Sequence, residues 1–344
     1  MRNIKHVKKS ATLVSAMLAA SMGTAQAAAV SVGDTKVTVG GYVKADLIYD
    51  FDQDVGRSLF VNEIDGSDRT GGFSISAGES RIGITSVTNT SMGEVTGFIE
   101  GEFLKDNLGL RHAYLTWGNL MVGQNWTNWM PLTSYPATVD FFGPQGILFA
   151  RTPQIRYTVK QGNTTFAVSA EQLSGRNSAG VISADFKDED ESNVIPDLTA
   201  RIQYDRDGTH LMASGMLRRI NVDNDNGFDE DETGFGVNLS ALVPVGPDSV
   251  SANFVWGQGI ADYLVDDLNA FYVDGNSLEG IETISFTAAY TRNWTNKVSS
   301  NLVFGYTEVD DQSASDATEE LTSVHLNTFY SPLPPLTFGG EVIY

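Results

Sequence analysis

Few residues in this chain have the types and spacing that catalysis needs. Beyond residue 27 there are three histidines, His112, His210 and His325, and none stands beside a serine or a paired acid that would make a nucleophile or general base of it. No G-x-S-x-G, H-E-x-x-H or phosphate-binding loop occurs. The absence of cysteine removes disulfides and thiolate metal sites. The acidic run 223–232 invites a calcium reading. An EF-hand loop would place its glycine sixth, at Gly227, which leaves Val222 first where an aspartate is required. The run is therefore read as solvated loop acid, as is 187–191, with a divalent-ion or lipopolysaccharide bridge as the alternative. No metal and no cofactor is expected.

What remains is charge on alternating positions. Lys44, Arg81, Arg156 and Arg201 each oppose an apolar residue set on the same stretch of chain. Arg111, which shares its parity with Leu115 and Trp117, and Arg218, which shares its own with Met212 and Met216, are weaker members. Cations on the wall of a narrow passage attract anions, because a low-dielectric wall focuses their field. The alternative is ion pairing with Asp46, Glu94, Glu100 and Glu102, which would only stabilise the wall.

Positions of this kind need strands to hold them. From 35 to 50 one parity reads Val37, Val39, Gly41, Val43, Ala45, Leu47, Tyr49, and the other Thr38, Gly40, Tyr42, Lys44, Asp46, Ile48, Asp50. The same period of two returns around 93–104, 152–160, 197–205 and 297–308. One face is apolar, as lipid requires, while the other carries charges and amides, as a wet lumen requires. The pattern predicts a transmembrane antiparallel β-barrel with strands near 35–50, 76–88, 93–104, 109–117, 120–125, 152–160, 164–172, 197–205, 209–220, 233–243, 248–257, 281–291, 297–308, 319–330 and 335–344. Fifteen is odd for a single-chain barrel of about 16 strands. The expectation is that the last strand is absent from this chain, with Tyr344 as a genuine terminal aromatic the alternative.

Address and composition agree. Residues 1–27 carry Arg2, Lys5, Lys8 and Lys9, an apolar stretch, and the small-residue exit Ala25-Gln-Ala27, the layout of a cleaved signal peptide. The barrel domain is then 28–344. No later run is long and apolar enough for a membrane helix. The net charge is −21, and removing a leader with four basic residues and no acid makes the chain more acidic still, which disfavours nucleic acid as a partner. Hydrophobic residues at 41% are too many for a disordered acidic chain.

Short connections alternate with long ones, as periplasmic turns alternate with outer loops. The connection 126–151 is unusual for a solvated loop. It holds Trp129, Tyr135, Phe141 and Phe142 with the single acid Asp140, and is expected to fold inward as a constriction loop, a lid or subunit contact being the alternative. Small outward residues Gly41, Ala45, Gly97 and Gly101 suit a close subunit contact or a tight bend.

Several segments in order carry a family resemblance: Gly40-Gly-Tyr-Val-Lys-Ala-Asp46, Glu79-Ser-Arg-Ile-Gly83, Gly97-Phe-Ile-Glu-Gly-Glu-Phe103, Leu110-Arg-His-Ala-Tyr-Leu115, Gly123-Gln-Asn-Trp-Thr127, Asp140-Phe-Phe-Gly-Pro144 and Arg151-Thr-Pro-Gln-Ile-Arg-Tyr157. In these the chain resembles the DcaP-like trimeric porins, densely over about 35–160 and by pattern beyond. The resemblance implies a sixteen-stranded homotrimeric barrel in the bacterial outer membrane that favours small organic anions such as dicarboxylates. Outer-membrane lipid and lipopolysaccharide are the surrounding partners. Two departures stand out: only 28–34 precede the first strand, where family members often carry a coiled coil, and the chain ends at Tyr344, where they continue through a hairpin. The sequence thus points to passive diffusion lined by Lys44, Arg81, Arg111, Arg156, Arg201, Arg218, Glu100 and Glu102. A structural or adhesive surface barrel and a barrel enzyme are the rival readings.

Overall fold

The computed structural model describes residues 17–20, 29–51, 71–104, 107–173, 181–182, 191–223, 228–266, 268–310 and 320–344. The wall is made of fifteen long strands where the alternation places them. They are β1 (Thr35–Tyr42), β2 (Arg81–Thr90), β3 (Gly93–Glu102), β4 (Gly109–Trp117), β5 (Leu120–Trp126), β6 (Arg151–Gln161), β7 (Thr164–Glu171) and β8 (Glu191–Arg206). The second half holds β9 (Thr209–Asp223), β10 (Asp229–Val245), β11 (Asp248–Gln258), β12 (Glu282–Asn293), β13 (Val298–Val309), β14 (Glu320–Leu333) and β15 (Leu336–Ile343). Each pairs antiparallel with the next in sequence. Two short N-terminal strands sit on the outer edges of this series, Ala29–Val32 on β1 and Met17–Ala20 on β15. The rest of the leader expected at 1–27 lies outside the described residues, as do 187–190 and 224–227 of the acidic runs.

The two faces are distributed as in a membrane barrel. Along β9 the buried set is His210, Met212, Ser214, Met216, Arg218, Ile220 and Val222, while Leu211 and Leu217 are exposed. Along β13 Asn301 and Thr307 are buried, and Leu302 and Phe304 face out. A water-soluble protein would reverse these faces. Consecutive pairing also gives the backbone polar groups of the wall the partners that hydrocarbon does not offer.

Turns at 91–92, 118–119, 162–163, 207–208, 246–247, 294–297 and 334–335 close one end. The long connections leave from the other. Three pieces of them, Val181–Ile182, Phe271–Asp274 and Ser277–Gly280, form a small separate sheet.

The continuous strand expected over 35–50 is broken. Its upper part, Asp46–Asp50, pairs with Gly72–Ser76 in a ladder of its own. At the break the Lys44 amide donates to Ser80 Oγ (3.1 Å), whose hydroxyl donates to the Lys44 carbonyl (3.2 Å). Alternation is kept through the interruption, so Lys44 and Asp46 both face the interior. Gly41 lies three residues earlier, and a Cβ there would stand 2.1 Å from the Arg81 carbonyl oxygen. Close approach of β1 to β2 therefore accounts for that glycine, in line with the tight bend rather than a subunit contact.

The inverted faces generate a stability prediction. Leu239 points outward in the middle of the β10 span. Leu239→Arg should lower the unfolding free energy, measured by urea titration in lipid vesicles, by about 2–4 kcal/mol, the cost of a basic side chain near the bilayer midplane.

Candidate functional site

The inward face of the wall is polar because it has a second layer to hold. Residues 127–150 cross the interior, and their backbone groups, which need partners once buried, find them on the wall. At the start, Thr127 Oγ1 (2.6 Å) and the Asn128 amide (2.8 Å) donate to the Glu171 carboxylate on β7. Ser214 on β9 donates to the Trp129 carbonyl (3.1 Å), and the Trp129 ring lies against Gly236 on β10, where a Cβ would come within 2.6 Å of it. Further along, Asn327 on β14 donates to the Ala137 carbonyl (2.9 Å). The amides of Val139 (3.1 Å) and Asp140 (2.9 Å) donate to Glu341 on β15. Ser285 on β12 donates to the Gly146 carbonyl (2.8 Å). Trp129 is fully buried, while Tyr135, Phe141 and Phe142 are partly buried around Phe149. Beside them a cavity of about 340 Å³ is lined by Trp126, Met130, Tyr135, Thr138, Phe141 and Phe149.

The predicted cations divide into three groups. Lys44 is paired with Asp46 (3.1 Å) and Glu79, and donates to the Val139 carbonyl (3.2 Å), so it fastens the loop tip. Arg81 and Arg111 share Glu100 and Glu102, with Arg111 on Glu100 at 3.1 Å and Arg81 on Glu100 at 3.8 Å. Their guanidinium groups lie 4.8 and 4.9 Å from the Phe141 ring centroid, a cation–π clamp on the loop. Arg151 joins them at 3.8 Å from Glu102 and 5.1 Å from the Trp126 ring. Arg156 and Arg201 form the third group. They flank β7, Arg156 level with Ser169 and Arg201 with Ala167. Arg156 donates to Gln154 Oε1 (2.8 Å) and to the Trp126 carbonyl. Among the described residues neither has a carboxylate at ion-pair distance.

Two demotions made from parity are reversed. Arg111 is fully buried because β4 carries a bulge there: Glu100 faces His112 and Gly101 faces Leu110, so Arg111 is an extra residue turned inward. Arg218 keeps the parity of Met212 and Met216, but those methionines themselves face inward. Glu94 of the expected acid partners is exposed near a turn, whereas the acids that hold Arg218 are Asp197 (3.5 Å) and Asp262 (2.7 Å).

Sequence reasoning missed a second inward segment. It read 258–280 as an outer loop, yet Ile260, Ala261, Tyr263 and Leu264 are fully buried. The Phe149 amide donates to the Tyr263 carbonyl and the Val265 amide to the Ile147 carbonyl, both at 2.9 Å, around a bridge between Leu148 and Leu264. Asp266 accepts from the Gly146 amide (2.9 Å) and Thr307 Oγ1 (2.6 Å). The run Ile260-Ala-Asp-Tyr-Leu-Val265 is as apolar as the first loop and was the available signal.

The comparisons agree with this architecture. The model of the DcaP outer membrane protein family matches residues 5–344. The crystal structure of the outer membrane channel DcaP of Acinetobacter baumannii is similar at TM-score 0.80 and 24% identity, covering 91% of this chain and 98% of that one. OmpF of Salmonella typhi in complex with daunomycin is similar at TM-score 0.58 and 10% identity, over 92% and 99%. OmpT of Vibrio cholerae in a trimer form follows at TM-score 0.55 and 14% identity, over 90% and 99%. No curated protein matches.

Asp140 gives the loop a pH dependence. Burial, with the carboxylates of Glu341 and Glu79 nearby, raises its pKa well above the usual carboxylate range. A raised pKa means that its contribution to loop docking is present below that range and is lost as pH rises through the higher value. Asp140→Asn, neutral throughout, should slow limited proteolysis within 131–146 at pH 7 and leave it unchanged at pH 3. Glu341→Gln, which weakens two charge-assisted bonds to the loop, should speed it, consistent with about 1.5–3 kcal/mol for hydrogen bonds to charged groups.

Proposed function

Since the chain belongs to the DcaP outer membrane protein family, we propose that this outer-membrane barrel is a porin for passive diffusion, narrowed by 127–150 and favouring small organic anions such as dicarboxylates. The single observation that carries the anion preference is the pair Arg156 and Arg201, inward cations without a carboxylate at ion-pair distance among the described residues. Ion pairing, the alternative reading of the basic residues, describes Lys44 and Arg218 well. It does not describe this pair.

An entering anion meets the aromatic cavity beside Arg81 and Arg111, both of which stack on its Phe141. Its carbon skeleton can lie on Phe141 and Phe149 while its carboxylates bond to guanidinium, whose planar fork matches a carboxylate in two hydrogen bonds. That combination favours an organic anion over chloride, since chloride gains nothing from the apolar side. Transport rather than adhesion is supported by the polar inward face of the wall. A homotrimer is the assembly this reading adopts, in keeping with the family resemblance and with the trimer form of the similar OmpT.

Reconstituted across a planar bilayer under a KCl gradient, the protein should show a zero-current potential of the sign set by chloride. Arg156→Gln with Arg201→Gln should shift that potential toward potassium and lower the block of chloride current by succinate. A wild-type potential of potassium sign would overturn the anion preference, and the absence of conductance would overturn the porin reading.

A further inference from the structure

The loop that narrows the barrel does not hold itself in place. Its tail, 146–149, is bonded on one side by the second inward segment, through two backbone hydrogen bonds and Asp266. The wall holds that segment through Thr307 on Asp266 and through a buried cation. Arg218, only 1% exposed, donates from Nη1 to both oxygens of Asp262 (2.8 and 2.7 Å) and to the Gly259 carbonyl (3.2 Å), and lies 3.5 Å from Asp197. Tyr263 closes the arrangement by donating to Asp197 Oδ2 (2.6 Å). The Arg218 guanidinium also stands 5.4 Å from the Tyr263 ring and 5.7 Å from that of Phe271.

From this geometry we infer that Arg218 is a positioning residue for the passage: it latches the second inward segment to the wall, and that segment sets where the tail of the first loop lies. The inference rests on the reading of the barrel as a passage narrowed by 127–150. Asp197 belongs to β8, whose ladder fixes it, whereas Asp262 belongs to the short helical turn Ala261–Tyr263, which lies outside any ladder. Removing the cation leaves two buried carboxylates facing each other, and such a pair relieves its repulsion by letting the movable one reach water. The movable one is Asp262, and with it go the partners of Ile147 and Phe149. The tail leads directly into Arg151, the guanidinium that stacks on Trp126 and faces Glu102, so its displacement alters both the width of the passage and its basic cluster.

The absence of cysteine makes the test clean. Leu148→Cys with Leu264→Cys places two thiols at the bridge between the segments, and their rate of oxidative cross-linking reports whether the segments remain together. In that background, Arg218→Gln should give a folded barrel, judged by heat-modifiable migration, with slower cross-linking, higher single-channel conductance and a changed zero-current potential. Arg218→Lys, which keeps the charge, should restore most of the cross-linking rate. Tyr263→Phe, which loses only the Asp197 bond, should give a smaller change in the same direction, and it decides the matter through the same readouts if Arg218→Gln does not fold. Unchanged cross-linking and conductance in Arg218→Gln would overturn the latch and leave Arg218 a wall-stabilising residue. Slower cross-linking in a protein that conducts nothing even with Arg218 intact would uphold the latch as a positioning contact and overturn the porin reading.

Discussion

A peptide group inside hydrocarbon has no water to bond, and leaving its amide or carbonyl unpaired costs several kcal/mol. The fifteen long strands answer that constraint by pairing each with its neighbour in sequence. Everything else in the molecule follows from the wall so formed. Because side chains alternate along a strand, one set must face lipid and the other is left for the interior. The interior set is then free to be polar, and here it is rich in serine, threonine, asparagine and carboxylates.

Those polar residues serve two ends. Where the interior is filled, Ser214, Ser285, Asn327, Glu171 and Glu341 supply hydrogen bonds to segments that have left the wall. A loop folded into a barrel has the same difficulty as a strand in lipid, since its backbone loses water, and the wall's side chains take over that role. The same face thus holds the inward loop and carries the basic side chains.

Charge is apportioned accordingly. Lys44 and Arg218 are spent on anchoring, each bonded to two acids and each fixing an inward segment. Arg81, Arg111 and Arg151 hold Phe141 or Trp126 with their guanidinium groups while sharing Glu100 and Glu102. Arg156 and Arg201 have no carboxylate at ion-pair distance among the described residues. A strongly acidic chain can in this way present a basic cluster inside its wall, because the pattern of the charges there and not their sum sets the local field.

The strands were legible from sequence because their signal is local. A period of two over eight or more residues reports which face meets lipid, and it placed all fifteen wall strands, with Lys44, Arg156 and Arg201 on the inner face. The aromatic content of 126–151 likewise marked a segment unsuited to water. What the alternation could not reveal is anything that breaks the alternation or joins distant residues. The bulge that turns Arg111 inward depends on how β3 and β4 are registered. The inward Met216 of β9 packs in one cluster with Trp129, a residue far away in the chain. The second inward segment and the acids on Arg218 exist only once β8, β9 and the connection 259–281 are brought together. Periodicity along the chain decides which way a side chain points relative to the lipid, while its partner inside the wall is decided by how distant strands and loops come together, which no single strand encodes.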